Sequence, residues 1–305
     1  MPFGNHTLLL SDVGELWAFG NNTQGQLGLG HRSQRLVPSL VSWSGPTPIQ
    51  VDWGEEHSMV LDEEGGVWEA GRSRASPASS HFTRVPELPV ITMIAAGWFH
   101  SAAVDTNGAL WVWTSLSSDW ASSSPQQTKC LPPLIKLACG YGFLVAEDQE
   151  GSLWVVGRNS DGQLGVGHTL PLLQPTLVHA PELSKGPLRC LSAQMEGMIV
   201  IDSEGGLFSA GNNAFGALGL SATLRCVLLL QRVPLVSPLM EAFTGSRHAL
   251  ALDEEGGAWS WGRGDFGQLG TGESGHRDQP AFLGSGFFKL LAGGSHSFEI
   301  GRAHV

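Results

Sequence analysis

The sequence predicts an all-β protein built from serial copies of one structural unit, and three observations lead to this prediction. Glycine and proline are abundant, with 41 and 17 copies in 305 residues, while only 15% of the residues are charged. A phrase that runs from Gly54 to Gly71 recurs along the chain. Inside each copy, short apolar runs alternate with glycine-containing turns. This composition and spacing are typical of strand-rich repeat proteins rather than of helical or disordered chains.

The repeat is most easily aligned on its aspartate. Further copies of the phrase start at Gly97, Gly140, Gln194 and Gly245, and a worn first copy runs from Gly4 to Gly20. The aligned aspartates lie 43 to 54 residues apart and are Asp12, Asp62, Asp105, Asp148, Asp202 and Asp253. Each interval is long enough for one supersecondary unit.

Four strands are predicted in each unit. The apolar runs 59–61 and 67–68 flank an Asp-x-x-Gly turn, which indicates an antiparallel hairpin with glycine at positive φ. The phrase Gly25-Gln26-Leu27-Gly28 follows the second strand and recurs at 162–165, 216–219 and 267–270. A proline-containing segment and another apolar stretch, such as 91–96, supply two more strands.

Four-stranded units that cannot bury their own faces are stabilised by packing side by side in a ring, which also protects their edges. The predicted fold is therefore a β-propeller of four-stranded blades. An all-β solenoid is the alternative, although its repeats are usually shorter.

The motifs Gly-x-x-His-Ser, Asp-x-x-Gly, Leu-Trp-x-x-Gly and Gly-Gln-Leu-Gly-x-Gly occur in that order over essentially the whole chain. In this order they resemble the regulator of chromosome condensation repeat family. The resemblance implies a seven-bladed propeller. Seven Gly-x-x-His-type starts are present but only six Leu-Trp strands follow them, so we expect a C-terminal truncation that leaves the last blade incomplete.

The expected domain organisation is one propeller over residues 1–298 followed by a non-native tail at 299–305. Glu299 falls in a register where Val60, Ala103 and Ala251 place an apolar side chain. The last seven residues also resemble the translation of a sequencing-adapter oligonucleotide.

Composition argues against several classes of function. The formal charge of −11 opposes binding to a phosphate backbone, so no nucleic-acid partner is expected. The four cysteines form no C-x-x-C pair, which predicts reduced, buried thiols in an intracellular protein, cytoplasmic or nuclear. No run of eighteen apolar residues predicts a membrane span.

The sequence supplies no catalytic constellation, so we predict a protein that is not an enzyme and has no cofactor. The Gly-Gln-Leu-Gly phrases lack the Lys-Ser/Thr of a P-loop and are interpreted as tight turns. Four histidines at one register of different units, His57, His100, His248 and His296, are expected to be buried and hydrogen-bonded to neighbouring strands rather than to bind metal. The acidic Asp-x-x-Gly turns are expected to be solvated.

Strand direction predicts a candidate binding face. The first hairpin strand runs from the Gly-x-x-His turn to the Asp-x-x-Gly turn and the second strand returns, so the Gly-x-x-His turns and Gly-Gln-Leu-Gly loops share one end. Large and charged side chains at the variable positions of that end are candidates for protein binding. They are Glu55, Glu56, Trp98, Phe99, Tyr141, Asp161, Phe215, Arg247 and Phe266.

Two units depart from the pattern. Residues 72–80 and 114–124 replace the Gly-Gln-Leu-Gly loop. One interpretation is a partner-specific patch that includes Arg72, Arg74 and Trp120, and the alternative is a relaxed loop without a binding role.

The predicted function is a protein interaction scaffold. The alternative, implied by the resemblance, is guanine nucleotide exchange on a small GTPase, the activity of the founding member of the family. That protein also uses a β-wedge and a basic tail, for which this chain leaves little room. A third candidate is a tryptophan-based ultraviolet-B photoreceptor, whose relatives carry Gly-Trp-x-His turns, and only Gly97-Trp98-Phe99-His100 matches that pattern.

Overall fold

The structure, a computed structural model, describes residues 5–72, 78–114, 124–193, 195–235, 237–292, 294 and 296–301. The chain divides into two compact units, Met1–Gly142 (unit 1) and Phe143–Val305 (unit 2). Regular structure in the described residues is almost entirely β, apart from one 3-10 turn at Ala214–Gly216. No helix in this described part is long and apolar enough to cross a membrane.

The strands of unit 1 are β1 His6–Leu10, β2 Leu16–Gly20, β3 Arg35–Leu40, β4 Pro48–Trp53, β5 His57–Asp62, β6 Val67–Gly71, β7 Ser79–Arg84, β8 Ile91–Ala96, β9 His100–Asp105, β10 Leu110–Thr114, β11 Gln126–Gln127 and β12 Leu134–Cys139. Antiparallel sheets form in the orders β1-β2-β3, β4-β5-β6-β7 and β8-β9-β10-β11. The last two are the four-stranded blades that the sequence predicts.

The strands of unit 2 are β13 Phe143–Asp148, β14 Leu153–Gly157, β15 Leu172–Leu177, β16 Cys190–Ala193, β17 Gly197–Ile201, β18 Leu207–Asn212, β19 Cys226–Arg232, β20 Leu239–Thr244, β21 His248–Asp253, β22 Ala258–Gly262, β23 Arg277–Gly284, β24 Phe287–Ala292 and β25 Ser297–Gly301. Four-stranded sheets form in the orders β16-β17-β18-β19 and β20-β21-β22-β23. Strands β13, β14 and β15 pair in sequence, and β24 pairs with β25.

The core lies between successive sheets. In unit 1, Met59 and Leu61 of β5 pack with Ile94 of β8 and Trp113 of β10, all at most 2% exposed. Strand β5 is buried along its whole length, whereas most of β7 is half-buried or exposed. Burial of each such apolar side chain contributes about 1.5–3 kcal/mol.

The Asp-x-x-Gly turn and the tryptophan that follows it are joined by hydrogen bonds to the aspartate. Asp62 Oδ1 accepts hydrogen bonds from the amides of Glu64 and Gly66, at 3.0 and 2.7 Å, and its Oδ2 accepts one from Trp68 Nε1 at 2.7 Å. Asp105, Asp148 and Asp253 repeat the carboxylate-to-indole bond with Trp111, Trp154 and Trp259. The expectation of solvated turns is therefore wrong for these aspartates, which are buried because turn amides and an indole satisfy them.

The Gly-x-x-His-Ser motif links neighbouring sheets within each unit. His6 Nε2 lies 2.9 Å from Ser58 Oγ, His57 Nε2 lies 3.2 Å from Ser101 Oγ, and His248 Nε2 lies 2.9 Å from Ser297 Oγ. A Cβ at Gly54 would lie only 2.4 Å from the His57 ring, so the motif needs glycine for space. The predicted buried imidazole bonded to a neighbouring strand is confirmed at His57 and His248.

The cysteines match the prediction only in part. None of the four forms a disulfide, and Cys139 is buried, but Cys130 and Cys226 are exposed. Cys226 begins β19, a strand in which most side chains are exposed or half-buried, so burial of its thiol does not follow from its place in the sheet.

Candidate functional site

The Gly-x-x-His turns and the loops that follow each hairpin meet at the same end of the strands in both units. In unit 1 the amide of Arg72, which opens a loop, donates to the carbonyl of Glu56 in the turn at 2.7 Å. In unit 2 the amide of Asn212 donates to Glu196 and that of Arg263 to Arg247, each at 2.8 Å. The shared end predicted from strand direction is confirmed within each unit.

Successive turns are also joined to one another by backbone hydrogen bonds. In unit 1, Glu55 N donates to Trp98 O at 3.2 Å and Trp98 N donates to Gly140 O at 3.3 Å. In unit 2, Ser246 N donates to Gly294 O at 3.1 Å. The variable side chains therefore project from a fixed backbone.

Three predicted residues of unit 1 form an aromatic cluster, Trp98, Phe99 and Tyr141. The Trp98 and Tyr141 ring centroids lie 5.3 Å apart with an interplanar angle of 85°, and Phe99 lies 5.9 Å from Trp98. All three side chains are half-buried. The edge-to-face arrangement suits the quadrupoles of the rings and holds the cluster together.

The two predicted glutamates of unit 1 lie in the preceding turn. Burial raises the pKa of Glu55, and the neighbouring Glu56 charge raises it further. Glu56 Oε2 lies 4.0 Å from Arg72 Nη1, and the Arg72 side chain is 60% exposed. An ion pair this exposed contributes little to stability, so Glu56 and Arg72 stay accessible to a partner.

Unit 2 carries a second group, the Arg–Phe cluster of Phe215, Arg247, Arg263 and Phe266. The guanidinium carbons of Arg247 and Arg263 each lie 5.3 Å from the centroid of the Phe215 ring, and that of Arg263 lies 4.9 Å from the Phe266 ring. Cations over aromatic faces attract by about 0.5–1 kcal/mol where exposed. Phe266 is 67% exposed, so the cluster presents a large apolar ring to solvent.

Asp161 lies in a polar network rather than in that cluster. It accepts a hydrogen bond from Asn212 Nδ2 at 3.1 Å and lies 3.4 Å from Arg158 Nη2. The same Asn212 amide donates to Glu196 Oε2 at 3.0 Å, and Arg158 lies 3.9 Å from the Glu196 carboxylate. Asp161 and Glu196 are therefore both held by donors from neighbouring loops.

The Gly-Gln-Leu-Gly loops have one internal framework. An asparagine side-chain oxygen accepts from the amide of the buried leucine at 3.0 Å in the pairs Asn22–Leu27, Asn159–Leu164 and Asn213–Leu218. Its amide nitrogen donates to carbonyls farther along, such as His31 O at 2.8 Å. These contacts, with glycine at positive φ, confirm the interpretation as tight turns.

One loop lacks a residue that the others share. Alanine occupies position 217, where the sibling loops have Gln26, Gln163 and Gln268. Beside it lies a cavity of about 80 Å³, lined by Glu196, Asn212, Ala214, Phe215, Ala217, Ser246 and Arg247. Phe215 also has φ = 67°, in the left-handed region.

Three residues that bind the predicted ones, Arg158, Arg263 and Asn212, were not predicted from the sequence. A signal was present, because each directly follows a glycine at or next to the end of a second hairpin strand. Ala217 was likewise not predicted to matter, although it departs visibly from the loop phrase. Arg74 and Trp120, proposed for a partner-specific patch, lie outside the described residues.

The geometry agrees with comparisons with known proteins. Sequence models described as "Regulator of chromosome condensation (RCC1) repeat" match residues 13–61 and 243–268. The chain is 28% identical over 290 residues to the ultraviolet-B receptor UVR8 of Arabidopsis thaliana, covering 92% of this chain and 56% of that protein. It is 35% identical over 111 residues to the mouse secretion-regulating guanine nucleotide exchange factor, covering 36% of this chain and 24% of that protein. The chain thus spans about half of the first relative and less of the second.

Among solved structures, Prp20p from Saccharomyces cerevisiae superposes with a TM-score of 0.88 at 19% identity, covering 99% of this chain and 82% of that one. This likeness concerns the fold. Together with the four-stranded sheets, it shows that the chain has the fold of a β-propeller of four-stranded blades, and the two model matches show that it contains regulator of chromosome condensation (RCC1) repeats.

Proposed function

We propose that this protein is an interaction scaffold that binds a protein partner through the loop-and-turn end of its blades. The observation that carries the proposal is the Arg–Phe cluster, in which Arg247 lies over Phe215 and Phe266, beside Arg263, is 67% exposed. Among the described residues, Arg247 makes no ion pair. Arginine and aromatic residues dominate the energetics of protein interfaces.

The aromatic cluster of unit 1 supports the same role. Trp98 and Tyr141 are half-buried in turns whose backbones are fixed by hydrogen bonds. Side chains held in place before binding lose little conformational entropy on association. We therefore expect Trp98 and Phe99 to contribute affinity as well as local packing. The partner is expected in the cytoplasm or nucleus.

The experiment is affinity capture from cell extract with the full chain and with Trp98→Ala, Phe99→Ala and Arg247→Ala. Quantitative mass spectrometry measures the amount of each co-purified protein. Loss of a large interface side chain costs at least about 2 kcal/mol at a hot spot, a loss of affinity of roughly 30-fold. We expect at least one of the three variants to lose a specific partner.

Matched controls lie at the opposite end of the same strands. Glu64 and Glu255 follow the far ends of β5 and β21, about 17 Å along the strand from the turns. Both side chains are exposed. Glu64→Ala and Glu255→Ala should retain every partner. If the turn variants and the controls retained the captured proteins equally, the proposal that this face binds a partner would be wrong.

The alternative function is guanine nucleotide exchange on a small GTPase. The similarity to the mouse exchange factor favours it, although the match covers 36% of this chain. Prp20p, which shares the fold, has binding properties toward Gsp1p and histones. A panel of small GTPases loaded with fluorescent GDP tests the alternative. Release that is no faster than background across the panel would exclude exchange on those GTPases and leave the scaffold role intact.

The third candidate, a photoreceptor, draws on the likeness to UVR8. Against it, only the turn Gly97–His100 carries the Gly-Trp-x-His pattern in this sequence. We expect ultraviolet-B illumination to leave the set of captured proteins unchanged.

A further inference from the structure

In three loops, the glutamine of the Gly-Gln-Leu-Gly phrase closes the loop with its own side chain. Gln26 Oε1 accepts from Gln24 N, Gln163 Oε1 from Asp161 N, and Gln268 Oε1 from Phe266 N, each at 2.9 Å. These glutamines are at most 5% exposed. The carboxamide thus fills the space beneath the loop and satisfies the amide two residues earlier.

Ala217 removes that side chain from the fourth loop while the backbone keeps its place. The Ala217 Cα lies beside Gly262 as the Gln26 Cα lies beside Gly71. Alanine supplies no acceptor for the amide of Phe215, the residue that takes a positive φ here. None of the corresponding residues Gln24, Asp161 and Phe266 does so. The missing carboxamide, the unusual backbone and the cavity therefore coincide.

The donors and acceptors that line the cavity indicate which chemical group could bind in it. Arg247 and the Ser246 hydroxyl offer donors, while the Glu196 carboxylate, held by Asn212, offers an acceptor. A carboxamide has one acceptor and one donor group and can satisfy both sides. A carboxylate would be attracted by Arg247 but repelled by Glu196, and an ammonium group would meet the reverse, so neither charge is favoured on both sides of the cavity.

The size of the cavity agrees with such a group. Its volume of about 80 Å³ is roughly half that of a cavity of about 150 Å³ that binds benzene. A carboxamide with its adjoining methylene fits that space, whereas a whole aromatic ring does not.

We propose that this cavity receives the glutamine side chain of a protein partner, which takes the place of the glutamine that the loop lacks. The proposal rests on the proposed function and deepens it, because it names the partner residue that binds beside the Arg–Phe cluster. In the sibling loops Gln26 Nε2 and Gln163 Nε2 have no hydrogen-bond partner among the described residues. A partner's glutamine would find one in Glu196.

The experiment titrates the isotope-labelled full chain with N-acetyl-L-glutamine N-methylamide and follows backbone amide resonances. We expect saturable shifts at Phe215, Ala217, Ser246 and Arg247, with a dissociation constant on the order of 1 mM for so small a probe. The matching capped glutamate and capped norvaline should bind at least tenfold more weakly. Absence of saturable shifts, or tighter binding of capped glutamate, would overturn the proposal.

A consensus-restoring variant separates binding from folding. Ala217→Gln inserts the loop's own carboxamide and should weaken probe binding at least tenfold. Ala222→Gln places the same group at an exposed position and should leave probe binding unchanged. Undiminished binding by Ala217→Gln would contradict the proposal. If the probe fails while Arg247→Ala still loses its captured partner, the glutamine pocket is wrong and the proposed face stands.

Discussion

The loops at 159–165 and 213–219 of unit 2 share one framework and differ at three side chains, which are Ser160, Asp161 and Gln163 in the first and Ala214, Phe215 and Ala217 in the second. In both, an asparagine oxygen binds the amide of a fully buried leucine. In the first loop Gln163 fills the interior, and in the second Ala217 leaves a cavity and Phe215 turns to φ = 67°. The framework therefore tolerates loss of the glutamine, and the loop without it lies beside a cavity.

The turns beside the two loops differ as well. Glu196 lies 3.9 Å from Arg158, which precedes the closed loop, and also lines the cavity of the open loop; Gly197 stands at the histidine position of its turn. Arg247 lies over Phe215 of the open loop, in a turn that ends in the buried His248. The open loop thus combines a cavity, a cation without an acidic partner among the described residues and a buried imidazole.

The largest expected effect tests the shared framework. Asn213 is 2% exposed, and its Nδ2 donates to the carbonyls of Leu220, Ser221 and Leu224. We expect Asn213→Ala to lower the free energy of unfolding by about 4 kcal/mol, because two buried backbone groups lose partners that each matter by about 1–3 kcal/mol and two part-buried carbonyls lose a donor. Urea titration measures it. The control Asn107→Ala removes an exposed side chain and should stay within about 0.5 kcal/mol. Similar values for both variants would refute the framework.

The second prediction concerns pH and the open loop's turn. Burial, and to a smaller extent the His296 charge, lowers the pKa of His248 from 6.5 to about 4. Between about pH 6.5 and 4 the unfolded chain binds a proton that the folded chain resists, so stability falls as pH falls. The contribution is at most about 3 kcal/mol.

His248→Gln should therefore show a shallower decline of unfolding free energy with falling pH than the unmodified chain. Glutamine retains a donor for Ser297. Parallel curves for the two proteins over this range would show that His248 carries none of the pH dependence.

Exchanging glutamine and alanine between the two loops tests whether this side chain sets the difference in their stability. Ala217→Gln should raise the free energy of unfolding by about 1 kcal/mol, because it adds a hydrogen bond to the Phe215 amide and relieves a left-handed residue. Gln163→Ala should lower it by about 1–2 kcal/mol, since Asp161 N loses its acceptor. Urea titrations of both variants give the two signs, and equal signs would mean that the glutamine does not set the difference.

The smallest expected effect is on stability at the exposed cation. Arg247 is exposed and makes no ion pair among the described residues, so Arg247→Ala should change the free energy of unfolding by no more than about 0.5 kcal/mol. A thermal or urea unfolding curve measures this. A larger loss would indicate that the contact of Arg247 with Phe215 serves the fold rather than a partner.

Much of the fold could be predicted from the sequence because hairpin signals repeat. The Asp-x-x-Gly turn recurs in each sequence repeat, and strand direction alone places the Gly-x-x-His turns beside the loops. The burial of Asp62 could not be predicted in this way, because it depends on the indole of Trp68, six residues later, returning to the carboxylate. Repetition reveals the strands but not which repeated polar groups satisfy one another.

The candidate site could be predicted only to the level of exposed positions. Phe215 and Arg247 were expected on one end, and their contact, which Arg263 shares, depends on side-chain packing between blades. The substitution at Ala217 is visible in the sequence, but its meaning requires the bond that Gln163 makes to a backbone amide. The sequence could thus predict which end of the blades carries the candidate residues, but it could not predict the pocket.

The most direct test of the central claim compares partner retention at the two ends of the β21 hairpin. Arg247→Ala combined with Phe266→Ala alters the loop-and-turn end, and Glu255→Ala alters the opposite end. We predict that the double variant retains less than roughly a tenth of a specific captured protein, a loss of about 1.4 kcal/mol or more, while Glu255→Ala retains it fully. Equal retention of every captured protein by both variants would contradict this claim.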